Sequence, residues 1–300
     1  MPDTADIVLL TVNEHETRET QAAFGANPQA VTRAPYRYWD YGQIGGARVV
    51  HMLCNMADLA AGKSARAAID AWQPSLLIAL GIAWGAPHEE RAIGDLLLAE
   101  PLVDASYTKI SDKHCMQPRG DMWPPPDSLR QIVKSCHRDW QKKSPDERRR
   151  LHPGKVLSLP TLLDKMSLRN ELLTDYPGTI GGEMEGRGLV DAAVEHKCDW
   201  LVLKAICDWG AEKNINDAQK EIDQALAAKQ AATFLRFAIE EGLGTLAASW
   251  QSRRARVAGP SGGKVIMNIS NVSGTVIGSA GTVNINHGLR PGDVVDGGNF

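Results

Sequence analysis

Three carboxylates in one stretch of the chain have the type and spacing to do acid–base chemistry. Glu183-Met184-Glu185 directly precedes a run with helical spacing, Leu189, Val190, Ala193 and Val194. Asp208 ends the apolar run Trp200 to Cys207, too short for a typical helix and suited to a buried strand. An acid at the end of an apolar strand is partly desolvated, which disfavours its charged form and readies it to give up a proton. Spacing alone leaves structural roles open for all three. Glu183 could cap a helix, Glu185 could complement a helix dipole, and Asp208 could cap the next element.

The elements around these residues place them where ligands bind. A helix after Glu185 and a strand ending at Asp208 make half of an α/β unit, and in such sheets ligands sit at the carboxyl ends of strands. Upstream, Ile7 to Val12 reads as a first buried strand, and Asn13 to Glu19 opens a helix with acidic residues in its first turn. Tyr36 to Met52 carries Gly turn signals between strand-like runs and reads as a hairpin. Asn55 to Trp72 is Ala-rich and helical, Ser75 to Leu80 is the next buried strand, and Gly81 to Gly85 reads as a Gly-rich turn. Gly154 to Leu163 returns to strand character, and Asn214 to Glu241 is helix-compatible, with Gly242 or Gly244 as its stop. Short apolar strands alternating with Ala-rich helices predict an α/β fold, a mixed, twisted central sheet flanked by helices.

EMEGRGL followed by LKAICDW, one helix and one strand later, resembles the nucleoside phosphorylase and nucleosidase superfamily. The resemblance spans roughly Asp6 to Leu246. It implies that the Met184-Glu185 pair holds the ribose, with Glu185 on its hydroxyls and Glu183 beside it in the substrate site, and that Asp208 protonates the departing purine. Similar nucleosidases use a Glu just after the first strand to position the attacking water. Matching strand end to strand end puts Glu16 there, with Glu14 as the rival register. The same resemblance implies that the backbone of Ala83 and Gly85 approaches the nucleoside. No metal or other cofactor is implied, and no metal-ligand cluster is visible in the sequence.

Two departures from the family pattern matter. Phosphorylases of this superfamily hold their phosphate with arginines near the Gly-rich turn, whereas the first arginine after Gly81 is Arg91. That favours water as nucleophile. Ser158-Leu-Pro160 stands where nucleosidases have a Ser-Gly-Asp turn beside the base, so recognition of the purine differs there. The polar stretch Tyr107 to Arg149 falls near the 5′ end of the sugar in the family. Lys109, Lys113, His114 and Arg119 could meet 5′-phosphates there, or simply form a solvated face.

Composition bounds the remaining possibilities. The chain has 300 residues, 43% hydrophobic and 23% charged, enough for a large core. A formal net charge of -3 and a pI near 6.2 argue against nucleic acid as a partner. No apolar run reaches the roughly 18 residues of a spanning helix, and no signal-peptide pattern opens the chain, so neither membrane nor secretion is expected. The 5 cysteines are scattered without a CxxC pair, which favours reduced thiols in a cytoplasmic protein.

The composition changes after the helical stretch. Residues 1–247 read as the enzyme domain, 248–264 as an exposed linker containing Arg253-Arg-Ala-Arg256, and 265–300 as a β-prone tail. Val265 to Asn286 has no charged side chain, is rich in Asn and β-branched residues and repeats Gly-Thr-Val. That is the composition of a cross-β segment. Around Thr275-Val-Ile-Gly278 it resembles the amyloid signalling motifs typified by the RIP homotypic interaction motif, which join receptors to effector domains. A hairpin docked on the enzyme domain or on a partner sheet is the alternative. The expected protein is therefore a nucleosidase effector in defence or signalling. It would cut a purine nucleoside or nucleotide, form homo-oligomers and pair with a protein bearing a matching tail. A phosphorylase and a non-catalytic nucleotide-sensing adaptor are the alternatives.

Overall fold

The computed structural model describes residues 3–25, 28–54, 58–106, 108–111, 114–118, 120–143, 149–211 and 217–257. The tail at 265–300, Lys113 and Arg119 lie outside the described residues, as do the side chains of Lys109 and His114.

Strand β1 (Ile7–Thr11) is buried throughout, and its alternating side chains serve two layers. Ile7 and Leu9 join one core cluster with Ala227, Ala231, Phe234 and Leu235, whereas Val8 and Leu10 join another with Ala65, Ala68, Leu189 and Val190. A strand covered on both faces reads as a continuous apolar run, which is why period-2 polarity is missing from it. The layers are helices. Helix α1 (Glu14–Phe24) packs against α6 (Asp217–Ala238) on one side, and α2 (Asp58–Trp72) packs against α5 (Gly186–Glu195) on the other. Hairpin strands β3 (Tyr36–Ile44) and β4 (Ala47–Leu53) extend the sheet, with β2 (Gln29–Arg33) at its edge.

The other half of the sheet contains β5 (Leu76–Gly85), β6 (Leu96–Asp104), β10 (Leu151–Ser158), β11 (Thr179–Glu183) and β12 (Asp199–Asp208). Its strand order is β11-β10-β6-β12-β5-β1-β4-β3-β2, with parallel and antiparallel neighbours mixed. A further antiparallel pairing, Gly181 with Gly85 and Gly182 with Trp84, joins β11 to β5 and closes those five strands into a ring. A short β9 (Met122–Trp123) pairs with β6, and β7 (Thr108–Ser111) pairs with β8 (His114–Pro118). Helices α3 (Asp127–Lys143) and α4 (Met166–Asp175) complete this half. The expected mixed sheet flanked by helices is the observed fold. Among the described residues no helix is long and apolar enough to cross a membrane.

Two sequence expectations are corrected. Gly81 to Gly85 is strand, not turn, because β5 continues through it and gains β11 as a neighbour. The stretch from 248 is not linker at its start. Gly242 (φ 136) kinks the chain within a π-helical turn, Ile239–Leu243, and α7 (Gly244–Val257) follows. Ala247 is buried, Trp250 packs on the core, and Arg254 donates to the Pro74 carbonyl. Among the described residues the compact unit accordingly continues to Val257, beyond the expected boundary at 247.

Candidate active site

The carboxyl ends of β1, β5, β11 and β12 meet at one cavity of about 260 Å³. Glu16, Ala83, Glu183, Met184, Glu185 and Asp208 all line it. Gly85 does not. It pairs with Gly181, and a side chain at Gly85 would run into Ile206 at 2.8 Å, so it belongs to the strand packing beneath the cavity. Glu14, the rival to Glu16, is exposed.

Glu16 is delivered by the start of α1. Asn13 caps that helix, its Oδ1 accepting from Glu16 N at 2.9 Å. The Glu16 carboxylate accepts from Val12 N at 2.7 Å through Oε2 and from Ile82 N at 2.8 Å through Oε1. The absence of a side chain at Gly81 leaves the space that the Glu16 carboxylate fills. Burial nonetheless pushes the Glu16 pKa above the usual carboxylate range, with Lys204 opposing and Glu185 reinforcing that shift.

Glu183 ends β11 and turns its carboxylate back on the next helix. Its Oε2 accepts from Glu185 N at 3.0 Å and Gly186 N at 2.7 Å, supplying partners to the first amides of α5. One of the structural roles open from the sequence, the helix cap, is thus the observed contact of Glu183. Its pKa is pushed up to about 7, chiefly by burial; Lys204 lowers it, Glu185 raises it, and the backbone amide and the Ser158 hydroxyl lower it. Glu185 faces Lys204, with Nζ 3.4 Å from Oε2.

Lys204 went unnoticed in the sequence, although it is the only charged residue between Asp199 and Asp208. It is 2% exposed, and its ammonium stands 4.0 Å from Glu16 Oε1 as well. Burial works against its charge, but Glu16, then Glu185 and Glu183, outweigh it and hold its pKa above the usual lysine range. Burial raises the proton affinity of Glu16 and Glu183, and one ammonium among three buried carboxylates offsets only part of it. The available signal was its setting: a lone cation inside a strand whose neighbours are all apolar needs anionic partners.

Asp208 lies where β12 slips register against β5 between Ile206 and Asp208, a bulge that re-aims the strand end. It is half-buried rather than sealed in the core. Its Oδ1 accepts from Gly210 N at 2.7 Å, and the Cys207 thiol donates to Oδ2 at 3.2 Å. Trp84 and Leu163 wall this end. The Trp84 indole crosses Gly182, where a side chain would meet the ring at 2.7 Å, and Gly210 packs against both residues. Trp84 and Leu163 make the lining near Asp208 largely apolar, whereas Asn13, Glu16, Lys220 and Gln224 contribute polar groups to the same lining. Among the described residues no arginine lines the cavity.

The family model for the Phosphorylase superfamily matches residues 7–240. The chain is 27% identical over 182 residues to a protein of Amphimedon queenslandica named "Death domain-containing ATP nucleosidase". That match covers 55% of this chain and 34% of the relative, so the chain spans about a third of that protein's length. Among solved structures, the 5′-methylthioadenosine/S-adenosylhomocysteine nucleosidase of Neisseria meningitidis is similar at a TM-score of 0.65 and 16% identity, over 78% of this chain and 98% of that one. The futalosine hydrolase of Helicobacter pylori is similar at a TM-score of 0.66 and 16% identity, over 78% and 97%. At that identity the structural likeness concerns the fold.

Proposed function

This chain belongs to the phosphorylase superfamily, and on that premise we propose that it hydrolyses the N-glycosidic bond of a purine nucleoside or nucleotide. The observation that carries the proposal is the cavity itself, with an acid at its apolar end, a buried carboxylate cluster at its floor and no arginine in its lining among the described residues. The name of the Amphimedon queenslandica relative, an ATP nucleosidase, points to an adenine base.

In this reading the purine lies against Trp84 and Leu163, and Asp208 gives N7 a proton as the bond from C1′ to N9 breaks. The base leaves neutral and the sugar becomes oxocarbenium-like. Glu185, with Glu183 and Met184 beside it, holds the ribose hydroxyls. Glu16 orients a water, whose oxygen bonds to C1′ and whose proton Glu16 accepts. Burial raises the Glu16 proton affinity, which suits that role. Lys204 fixes Glu16 and Glu185 relative to each other. The test is product analysis after incubation with adenosine and ATP. Free adenine with an unphosphorylated C1′, formed equally without added phosphate, supports hydrolysis. Strict dependence on phosphate and a sugar 1-phosphate would make the protein a phosphorylase.

The further proposal concerns residues 265–300, on composition alone. We propose that this tail self-associates or pairs with a matching segment of a partner, gathering enzyme domains into an effector assembly for defence or signalling. Cross-β stacking repeats each side chain about every 4.8 Å, so one buried charge would recur along the stack. A peptide of Val265 to Asn286 is expected to form fibres, and Val276→Asp to prevent them. A wild-type peptide that stays monomeric at high concentration would leave the docked hairpin as the better account.

A further inference from the structure

The polar wall of the cavity contains a cation that the catalytic scheme does not use. Lys220 stands on the fourth residue of α6, half-buried and lining the cavity, and it has no ion pair or hydrogen bond among the described residues. Gln224 follows one turn later on the same face of the helix and lines the cavity too.

The position of this pair is fixed beside Glu16. Glu221, the neighbour of Lys220, places its Oε2 2.9 Å from Nε2 of His15, the neighbour of Glu16. That contact ties the first turns of α1 and α6 together, so Lys220 and Glu16 share one end of the cavity. Asp208, Trp84 and Leu163 line the same cavity, with Trp84 and Leu163 both against Gly210. A purine seated at the Asp208 end with its C1′ above Glu16 directs the remainder of the sugar toward α6.

Charge separates the two lysines of the site. Lys204 is held by Glu16 and Glu185 at the floor. Among the described residues Lys220 pairs with no carboxylate, although Asp164, Asp208, Glu16, Glu183 and Glu185 all line the same space. A half-buried ammonium left without an anion at a cavity wall is a site for one brought by the ligand.

We propose that Lys220, seconded by the Gln224 amide, binds the 5′-phosphate chain of the substrate, so that the protein acts on a purine nucleoside 5′-phosphate in preference to the free nucleoside. The proposal rests on the nucleosidase reading for its placement of the sugar. It assigns Lys220 to specificity, separate from the residues that break the bond. A charge-assisted contact of this kind is worth about 1.5–3 kcal/mol, equivalent to roughly 10- to 100-fold in selectivity.

The experiment compares kcat/KM for ATP and adenosine in the full chain and in Lys220→Gln and Lys220→Arg. The expected result is a preference for ATP that falls about 10- to 100-fold in Lys220→Gln, mainly through KM, and returns in large part in Lys220→Arg. The salt dependence of KM for ATP should also flatten in Lys220→Gln, because a phosphate contact has been removed. An unchanged ATP-to-adenosine ratio in a folded Lys220→Gln protein would overturn the assignment. If the wild-type protein cleaves neither compound, the nucleosidase reading fails. Calorimetry with tripolyphosphate then decides the Lys220 site separately: binding that weakens in Lys220→Gln supports it, and equal or absent binding overturns it.

Discussion

The ammonium of Lys204 lies 3.4 Å from Glu185 Oε2, inside a strand whose other members between Trp200 and Cys207 are apolar and buried. This pair joins β12 to the start of α5, and the 4.0 Å approach to Glu16 extends the link to α1. Lys204 also pairs in register with Gly81 on β5, the residue whose bare α-carbon admits Glu16. One lysine therefore spans the elements that carry two of the proposed functional carboxylates.

Removing that charge should be costly. Lys204→Met leaves Glu16 and Glu185 buried without their counter-charge, and breaking a buried pair in this way costs about 3–5 kcal/mol. Urea denaturation is expected to show that loss, together with greatly reduced turnover. Adding Glu185→Gln to Lys204→Met should recover part of the stability while activity stays low. A double variant no more stable than Lys204→Met would show that charge pairing is not what Lys204 contributes.

The sequence made some of this architecture legible and hid the rest for identifiable reasons. Apolar strands such as Ile7 to Val12 and Trp200 to Cys207 declare themselves because burial on both faces removes polar residues. The order of Glu183, Glu185 and Asp208 along one α/β unit was readable as well. The β11–β5 pairing was not, since it is antiparallel, made by glycines and distant in sequence. Its absence from the reading turned Gly81 to Gly85 into a turn. Gly242 and Gly244 read as helix stops because local signals cannot reveal Trp250 and Ala247 packing on the core. Lys204 shows its role only through Glu16 and Glu185, which other elements of the fold bring to it.

Gly81 offers a test of Glu16 placement. A methyl group there would overlap the Glu16 carboxylate, forcing it away from Val12 N and Ile82 N. Displacing a positioned group by an ångström can cost about 10²-fold in rate. Gly81→Ala is expected to lose roughly that much kcat, with little change in affinity for free adenine at the Asp208 end. Wild-type kcat in a folded Gly81→Ala protein would remove Glu16 from the water-positioning role.

The pH dependence of stability should carry the mark of the carboxylate cluster. Glu183 has its pKa raised from 4.5 to about 7, so the folded state retains a proton that the unfolded state releases. Its contribution is complete below about 4.5 and is lost as pH rises through 7. Glu16, also raised, acts in the same direction, whereas His51, buried and lowered to about 3, adds stability as pH rises from about 3 to its ordinary value of 6.5, above which its contribution is complete. The difference between wild type and Glu183→Gln isolates the first effect. Relative to Glu183→Gln, wild type should lose stability between about pH 4.5 and 7 in thermal melts, the window spanned by those two values. A constant difference across that range would mean that Glu183 does not hold its proton more tightly in the folded protein.

Asp208 is the residue on which the proposed chemistry turns. Its carboxylate accepts from Gly210 N through one oxygen and from the Cys207 thiol through the other, and it faces the cavity beside Trp84. Asp208→Asn keeps the size of the group but removes the proton that the departing N7 requires. Loss of an acid catalyst costs about 10²–10⁴ in rate. Asp208→Asn is therefore expected to bind substrate with little change in affinity and to release adenine slower by about that factor. Glu185→Gln should instead weaken binding and turnover together, because a ribose contact persists from ground state to transition state and strengthens as positive charge develops on the sugar. Single-turnover kinetics separate binding from bond cleavage. If Asp208→Asn cleaved at the wild-type rate, the proton would come from another group or the base would leave without one. If both variants lost affinity alike with cleavage untouched, these carboxylates would serve ligand binding and not catalysis.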